Sequence, residues 1–422
     1  MAILGQSDWH AWFAMFWFMI LLELPRYMLS ALAVLVSGFL RQHAPTPRER
    51  AYLEGLKLSV VVAGHNEADA MQRCLRSLGE QTRRVDEIIV VNDGSTDGMR
   101  DMINAMRRAG QIDIALSNQV RCGKAASCNM GFNLSSGHII INLDADSSYD
   151  RDAIEKLVEP FADPAVGATT GAIGVRNFDH SAVTAWQTIE YLCSIALGKR
   201  VLEIFDIVAC ASGAFGAFRR EAVEQIGIMA SGPGEDFDMT MRLRRAGWKI
   251  RFAGGSWCFT DAPETLAALV RQRRRWDRDT IRIRMRRFRD ALNPRSRRFN
   301  WLEGVEQIDF LVLNLLLTIL FPFYILYMFA TYGSFALSIL IVVQLVYIGI
   351  DVIYFCIALK IANRLQTNVV MAVAPYVLTF SLFNGIFMRL VRLYSYYEEW
   401  VHRRSYQDSY SPSRVANQSL ID

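Results

Sequence analysis

Asp144-Ala145-Asp146 sets two carboxylates two residues apart, directly after the apolar run His138 to Leu143. At that spacing hard oxygen ligands can hold a divalent cation, with a diphosphate supplying further ligands. The pattern recurs upstream: Leu58 to Ala63 is followed by His65, Asn66 and Glu67, and Glu87 to Asn92 by Asp93, Gly94 and Ser95. Asp and Asn in such places also cap helices and form turns, but three acidic strand ends on one sheet edge are harder to explain that way than any one alone. No Gly-x-Gly-x-x-Gly follows the first run and no GxxxxGK[ST] loop occurs, which disfavours a dinucleotide enzyme and a P-loop NTPase. Seven cysteines without a Cys-x-x-Cys pair argue against a zinc centre or a disulfide framework and read as reduced thiols.

The elements that position these groups alternate. The three runs, with a shorter one from Ile112 to Leu116, read as strands, and Ala68 to Gln81, Asp97 to Ala109 and Ala125 to Leu134 as the intervening helices. Continuous apolar runs imply strands buried on both faces, as in a parallel sheet wrapped by helices. Such sheets bind ligands beyond the carboxyl ends of their strands, which is where the acidic groups fall.

Of 422 residues, 52% are hydrophobic and 21% charged, with a net charge of +4, which excludes a disordered chain and a disulfide-stapled miniprotein. The average conceals two solvents. Charge is crowded between Lys57 and Arg298 and nearly absent from Phe310 to Met388. A membrane-crossing helix needs about 20 mostly apolar residues; three C-terminal stretches qualify, near 310–332, 335–359 and 368–390. At the N-terminus, Trp12 to Leu40 reads as one kinked anchor interrupted by Glu23, Pro25 and Arg26, with no small-residue cleavage site after it. The arginines before Phe310 and the Lys360 to Arg364 loop place the charged domain in the cytoplasm. Three C-terminal spans then leave Arg392, Arg403 and Arg404 outside, so either one span is re-entrant or the charge rule fails.

Ala182 to Phe205, through Trp186, Ile189, Leu192 and Ala196, reads as an amphipathic interface helix. Ile281, Met285, Phe288 and Leu292, with arginines opposite, read as a second one, lying on an anionic membrane surface. Asp351 is ionisable at membrane depth and is expected to face protein or water. A nucleic-acid role for the Arg271 to Arg298 cluster is disfavoured, because the cluster abuts a membrane span and no DNA or RNA fold signature accompanies it.

Five blocks in order carry a resemblance: VVNDGSTDG (Val90 to Gly98), GKAASCN (Gly123 to Asn129), LDADS (Leu143 to Ser147), GED (Gly234 to Asp236) and QRRRW (Gln272 to Trp276). On these blocks the chain resembles the family 2 glycosyltransferases, and among them the membrane-embedded processive polysaccharide synthases that make poly-N-acetylglucosamine, hyaluronan, chitin or cellulose. Arg151 to Gly171 looks closest to bacterial poly-N-acetylglucosamine synthases. The resemblance implies an α/β, GT-A-type glycosyltransferase domain inserted between transmembrane helices, with amphipathic interface helices. Its parts are an anchor (1–45), a cytoplasmic catalytic domain (46–262), interface helices (263–307), a transmembrane bundle (308–391) and a tail (392–422).

By motif match, Asp93 contacts a uridine, with Asn66 and Glu67 near the base and Lys124 at the diphosphate. Asp146 binds Mg2+ or Mn2+, and Asp144 assists at the ribose or metal. Asp236, beside Glu235, matches the general base that takes the acceptor hydroxyl's proton during inverting transfer; alternatively the pair caps the helix expected from Met239. The family usually has Thr where Gly234 stands, which leaves the local hydrogen bonding open. Ser212 and Gly213 correspond to the acceptor platform. Gln272 and Trp276 lie beside the acceptor, and Arg275 meets phosphate charge.

The partners implied are a UDP-sugar donor, a growing glycan, the lipid bilayer and accessory export or regulatory subunits, and no nucleic acid. The expected location is the bacterial inner membrane. The favoured activity is a processive β-glycan synthase using UDP-N-acetylglucosamine, with UDP-glucose next. A single-addition glycolipid glycosyltransferase and a non-catalytic transport or scaffold subunit are the alternatives.

Overall fold

The computed structural model describes residues 13, 15–17, 19–40, 45–230, 232–296, 299–362 and 367–407. Eight strands form one sheet: β1 Leu58–Gly64, β2 Glu87–Asn92, β3 Ile114–Ser117, β4 Ile139–Asp144, β5 Ser148–Tyr149, β6 Val166–Val175, β7 Phe215–Arg219 and β8 Lys249–Thr260. Their order is β3-β2-β1-β4-β7-β6-β8-β5.

The β3-β2-β1-β4 half is parallel, as the apolar runs require. Its residues alternate between two cores. Val60, Val62, Ile139 and Ile141 pack on one face; Val61, Ile89, Val91 and Ile140 pack on the other. Beyond β4 the sheet departs from the all-parallel expectation, although β6 and β8 still pair in parallel. β7 runs antiparallel to both β4 and β6, because the connection between β6 and β7 starts and ends at one sheet edge, so β7 must enter at Phe215 opposite Leu143 and run back. β5 likewise runs antiparallel to β8.

The helices Ala68–Gly79, Met99–Arg108 and Lys124–Leu134 follow the strands where expected, to within two residues at most ends. The amphipathic segment from Ala182 is helical to Ile204, with a π-helical stretch over Tyr191–Ala196. Its apolar stripe packs into a cluster with Phe355, Ala358, Phe380, Phe383 and Met388, so it joins the domain to the long apolar helices. Trp186 stacks on Phe383, with ring centroids 4.9 Å apart.

Among the described residues four helices are long and apolar enough to cross a membrane: Met15–Val36, Trp301–Tyr332, Phe335–Lys360 and Thr367–His402. They make this an integral membrane protein. The first is a single helix with a π-helical turn over Met19–Glu23, just before Pro25. The charges that interrupt it are paired: Glu23 with Tyr347 and, at 3.1 Å, with Arg389, and Arg26 with Asp309 at 3.1 Å. The second begins at Trp301, so the division drawn at 307 falls inside a continuous helix.

The last apolar helix starts and ends against the domain. Val373, Val377 and Phe380 pack with Val183, Trp257 and Leu269. At the far end, Glu398 accepts from Arg274 at 3.0 Å and Glu399 from Arg286 at 2.7 Å. The arginines of the helix Leu266–Arg282 and of the π-helical turn Ile283–Arg287 after it therefore do not present a bare basic face to lipid: Arg273 pairs with Glu190 at 2.7 Å, Arg284 with Glu306, and Arg286 with Glu399. The pattern looked like a membrane-surface stripe because the carboxylates that neutralise it lie on three other helices, far away in sequence.

Candidate active site

The carboxyl ends of β1, β2 and β4 bring the acidic groups to one edge. Glu67 stands before the first helix, with burial and the charges of Asp146 and Asp144 pushing its carboxyl up to about 7. Burial and Asp144 also raise Asp146. Lys124, at the start of the helix Lys124–Leu134, forms an ion pair with Asp144 and is the cation that partly offsets both shifts.

Among the described residues no three His, Cys, Asp or Glu side chains form a ready-made metal cage. The donor set nonetheless fits a hard divalent ion. Mutually repelling carboxylates at the mouth of a sheet gain from an added cation, and two protein oxygens suffice when phosphates and waters complete an octahedron.

Asp93 is buried and holds the next loop. Its Oδ1 accepts from the Cys122 amide at 2.7 Å and from Asn118 at 3.0 Å, and its Oδ2 accepts from the Gly123 amide at 2.8 Å. Asp93 thereby fixes the turn that delivers Lys124. Asn66 adopts a left-handed φ of 56°, tolerated best by Asn among side chains other than glycine. Its amide donates to Ser95 Oγ at 2.9 Å, and its Oδ1 accepts from the Thr96 amide at 2.8 Å, so it knits the β1 and β2 exits together.

Glu235 and Asp236 lie in the first turn of the helix Glu235–Arg245, not ahead of it. Asp236 Oδ2 accepts from the Gly213 amide at 3.0 Å and Oδ1 from the Phe237 amide at 2.8 Å. Burial and the Asp236 charge raise Glu235, while Lys124 and Arg275 oppose the rise. A Cβ on Gly213 would lie 3.3 Å from Lys124 Nζ and 3.5 Å from Asp236 Oδ2. That glycine lies between the Lys124 ammonium and the Asp236 carboxylate, where any side chain would touch both.

Gly234 has φ +73°, and a Cβ there would meet Ile283 Cδ1 at 2.7 Å. The helix Leu266–Arg282 and the turn after it press on this position too closely for threonine, which accounts for the departure from the family's usual residue. On that helix Gln272 keeps a buried, unpartnered Oε1. Trp276 lies 4.3 Å from the Arg273 guanidinium and packs against the core beneath the sheet.

Two groups that the motifs did not flag join the site. Cys210 faces Asp236, and burial together with that charge raises its thiol. Lys199 Nζ donates to Ser212 Oγ at 2.7 Å and to Thr170 Oγ1 at 2.9 Å. A signal for Lys199 existed in the sequence: it lies three residues beyond Ala196, where the amphipathic stripe calls for an apolar side chain.

Comparisons with known proteins agree with this geometry. A solved mannosyltransferase from Pyrobaculum calidifontis, in complex with GDP-Man and Mn2+, superposes with a TM-score of 0.53 at 17% identity, covering 89% of this chain and 99% of that one; the likeness is one of fold. Poly-beta-1,6-N-acetyl-D-glucosamine synthase from Staphylococcus aureus is 32% identical over 238 residues, 56% of this chain and 57% of the relative. The Staphylococcus epidermidis counterpart is 29% identical over 250 residues, 59% and 60% of the two chains. The chain thus spans less than two thirds of the length of the curated relatives it matches. Residues 59–227 match the glycosyl transferase family 2 model, and with the GT-A-like sheet and its acidic edge this segment is a family 2 glycosyltransferase domain.

Proposed function

We propose that the chain is an inverting glycosyltransferase that polymerises a UDP-sugar, UDP-N-acetylglucosamine before UDP-glucose, into a β-linked polysaccharide and moves it across the membrane. The observation that carries this reading is the placement of Lys124 between two acidic groups, ion-paired to Asp144 on one side and adjoining Gly213 and Asp236 on the other. On this reading the diphosphate takes over Lys124 from Asp144, and Asn66, Glu67 and Asp93 frame the nucleoside. Asp146 with Asp144 holds Mg2+ or Mn2+, which when bound neutralises charge on the departing UDP.

Asp236 then removes the acceptor hydroxyl's proton as that oxygen attacks the anomeric carbon from the face opposite UDP. Its two amide donors fix the carboxylate so that no reorientation is needed during the step. Arg275 adds positive charge toward the phosphates, Gln272 and Trp276 line the acceptor side, and Ser212 and Gly213 floor it. The similarity to poly-N-acetylglucosamine synthases supports that sugar, and the long apolar helices against the domain support export from a cytoplasmic site.

The test is synthesis from labelled UDP-N-acetylglucosamine by the purified chain, with the product sized on a gel. High-molecular-weight polymer is expected, lost on chelation and restored by Mg2+ or Mn2+. Asp236→Asn is expected to bind UDP normally and to lower synthesis at least about 10²-fold, the scale of a lost general base. A single glycolipid band, or near-normal synthesis by the variant, defeats the reading.

A further inference from the structure

Lys199 is 8% exposed, and among the described residues no carboxylate forms an ion pair with it. A buried ammonium is costly unless its charge is used, and a packing role at this stripe position needs only an apolar side chain. Its partners are hydroxyls. Nζ donates to Ser212 Oγ and Thr170 Oγ1, and Thr170 Oγ1 also accepts from the Ser212 amide at 3.2 Å.

The Cys210 to Gly213 loop is fixed from every side. The Ala211 amide donates to Thr240 Oγ1 at 2.9 Å, the Gly213 amide to Asp236, and Asn142 Nδ2 to the Gly213 carbonyl at 2.8 Å. Lys199 supplies the bonds that lock the one side chain in this set that the acceptor reading assigns to substrate. Three titratable groups face Lys199: Cys210 from the loop, Cys258 from β8 and Asp236 from the helix Glu235–Arg245. Burial raises both thiols well above neutrality and lowers Lys199 itself, which leaves Asp236 as the carboxylate on its side of the loop. Asp236 in turn faces Glu235 and Cys210.

We propose that Lys199 is a positioning residue for glycosyl transfer, holding the Ser212 hydroxyl and the Ser212-Gly213 floor while keeping positive charge beneath Asp236. It acts through Ser212 and Asp236 and touches no substrate. The inference rests on the transfer reading above. Lys199 comes from the helix that packs against the apolar helices, so it also ties the floor of the site to the membrane part of the fold.

The experiment compares Lys199→Met, Lys199→Arg, Ser212→Ala and the Lys199→Met/Ser212→Ala pair in the full chain. It measures UDP release from UDP-N-acetylglucosamine between pH 5.5 and 9, with a thermal midpoint for each variant. For Lys199→Met we expect kcat to fall about 10-fold to 100-fold with donor KM within about threefold, the pattern of a lost orienting interaction. Lys199→Arg should recover part of the loss. The double variant should be no worse than Lys199→Met, since residues acting as one unit are not additive.

A kcat for Lys199→Met within twofold of the parent overturns the assignment. If that variant does not fold, Ser212→Ala must itself lower kcat without changing donor KM, and full activity in it overturns the assignment instead. Asp236→Asn separates the two layers: if it is active, the transfer reading and this inference both fall, whereas if it is inactive while Lys199→Met is normal, only this inference falls.

Discussion

At the scale of single residues, two glycines set the distances. Gly213 lets a backbone amide reach Asp236 with Lys124 just behind it, and Gly234 takes a left-handed turn under Ile283. Gly234→Thr would restore the family's usual residue at a strained conformation and in a clash. It should therefore lower stability by about 1–3 kcal/mol, the range for a non-glycine residue held at such a φ, and lower activity with it. A thermal midpoint equal to the parent's would show that the helix from Leu266 can move aside. Asp144 and Asp146 stand out by their spacing at a strand end, and Glu235 and Asp236 only through the resemblance. The tasks of Asp93 and Asn66 in holding loops were not legible, because they depend on amides of Cys122, Gly123 and Thr96 that only folding brings within reach.

At the scale of elements, the helix Leu266–Arg282 does more than carry the QRRRW block. Its arginines and those of the turn Ile283–Arg287 find Glu190, Glu306, Glu398 and Glu399 on helices before and after it, which turns a basic stripe into a set of clasps. Asp277 is the inverse feature, a carboxylate pushed up to about 6 by burial although Arg392 and Arg273 oppose the shift. Its ordinary value is 3.8, so between these pH values the folded chain keeps a proton that the unfolded chain has lost. That contribution is complete below the ordinary value and disappears as pH rises through about 6. Asp277→Asn keeps the shape without the titration. The variant's thermal midpoint should gain on the parent's as pH is raised from 4 to 7, and a constant difference across that range would remove Asp277 from the account. Sequence periodicity found the helix from Ala182, but the expected Ile281 to Leu292 helix is broken at Phe288 between a π-helical turn and a 3-10 turn; periodicity reports only that one face is apolar and the other charged, not whether water, lipid or protein covers the charged face.

At the scale of the whole molecule, the last apolar helix decides the topology. Composition gives three equivalent C-terminal stretches, and alternation of three spans would send Arg392, Arg403 and Arg404 to the far side. In the structure both ends of Thr367–His402 rest on the same domain, as a re-entrant segment requires. A membrane-impermeant thiol reagent should therefore label cysteines placed at Thr367 and Val401, both exposed, from one and the same side, the side that also reaches the catalytic domain. Labelling from opposite sides would mean that the helix crosses.

The sequence by itself determined the division into a charged α/β domain and apolar helices, the parallel half-sheet and the chemistry of its edge, because these follow from local run length, periodicity and the few residue types that can bind a cation or move a proton. Tertiary structure alone decided the antiparallel return of β7, the neutralisation of the arginine stripe, the path of the last helix and the place of Lys199 beneath Ser212. Each of these depends on pairing between groups far apart in the chain, and no local pattern encodes which distant partner a strand edge or a buried charge will meet.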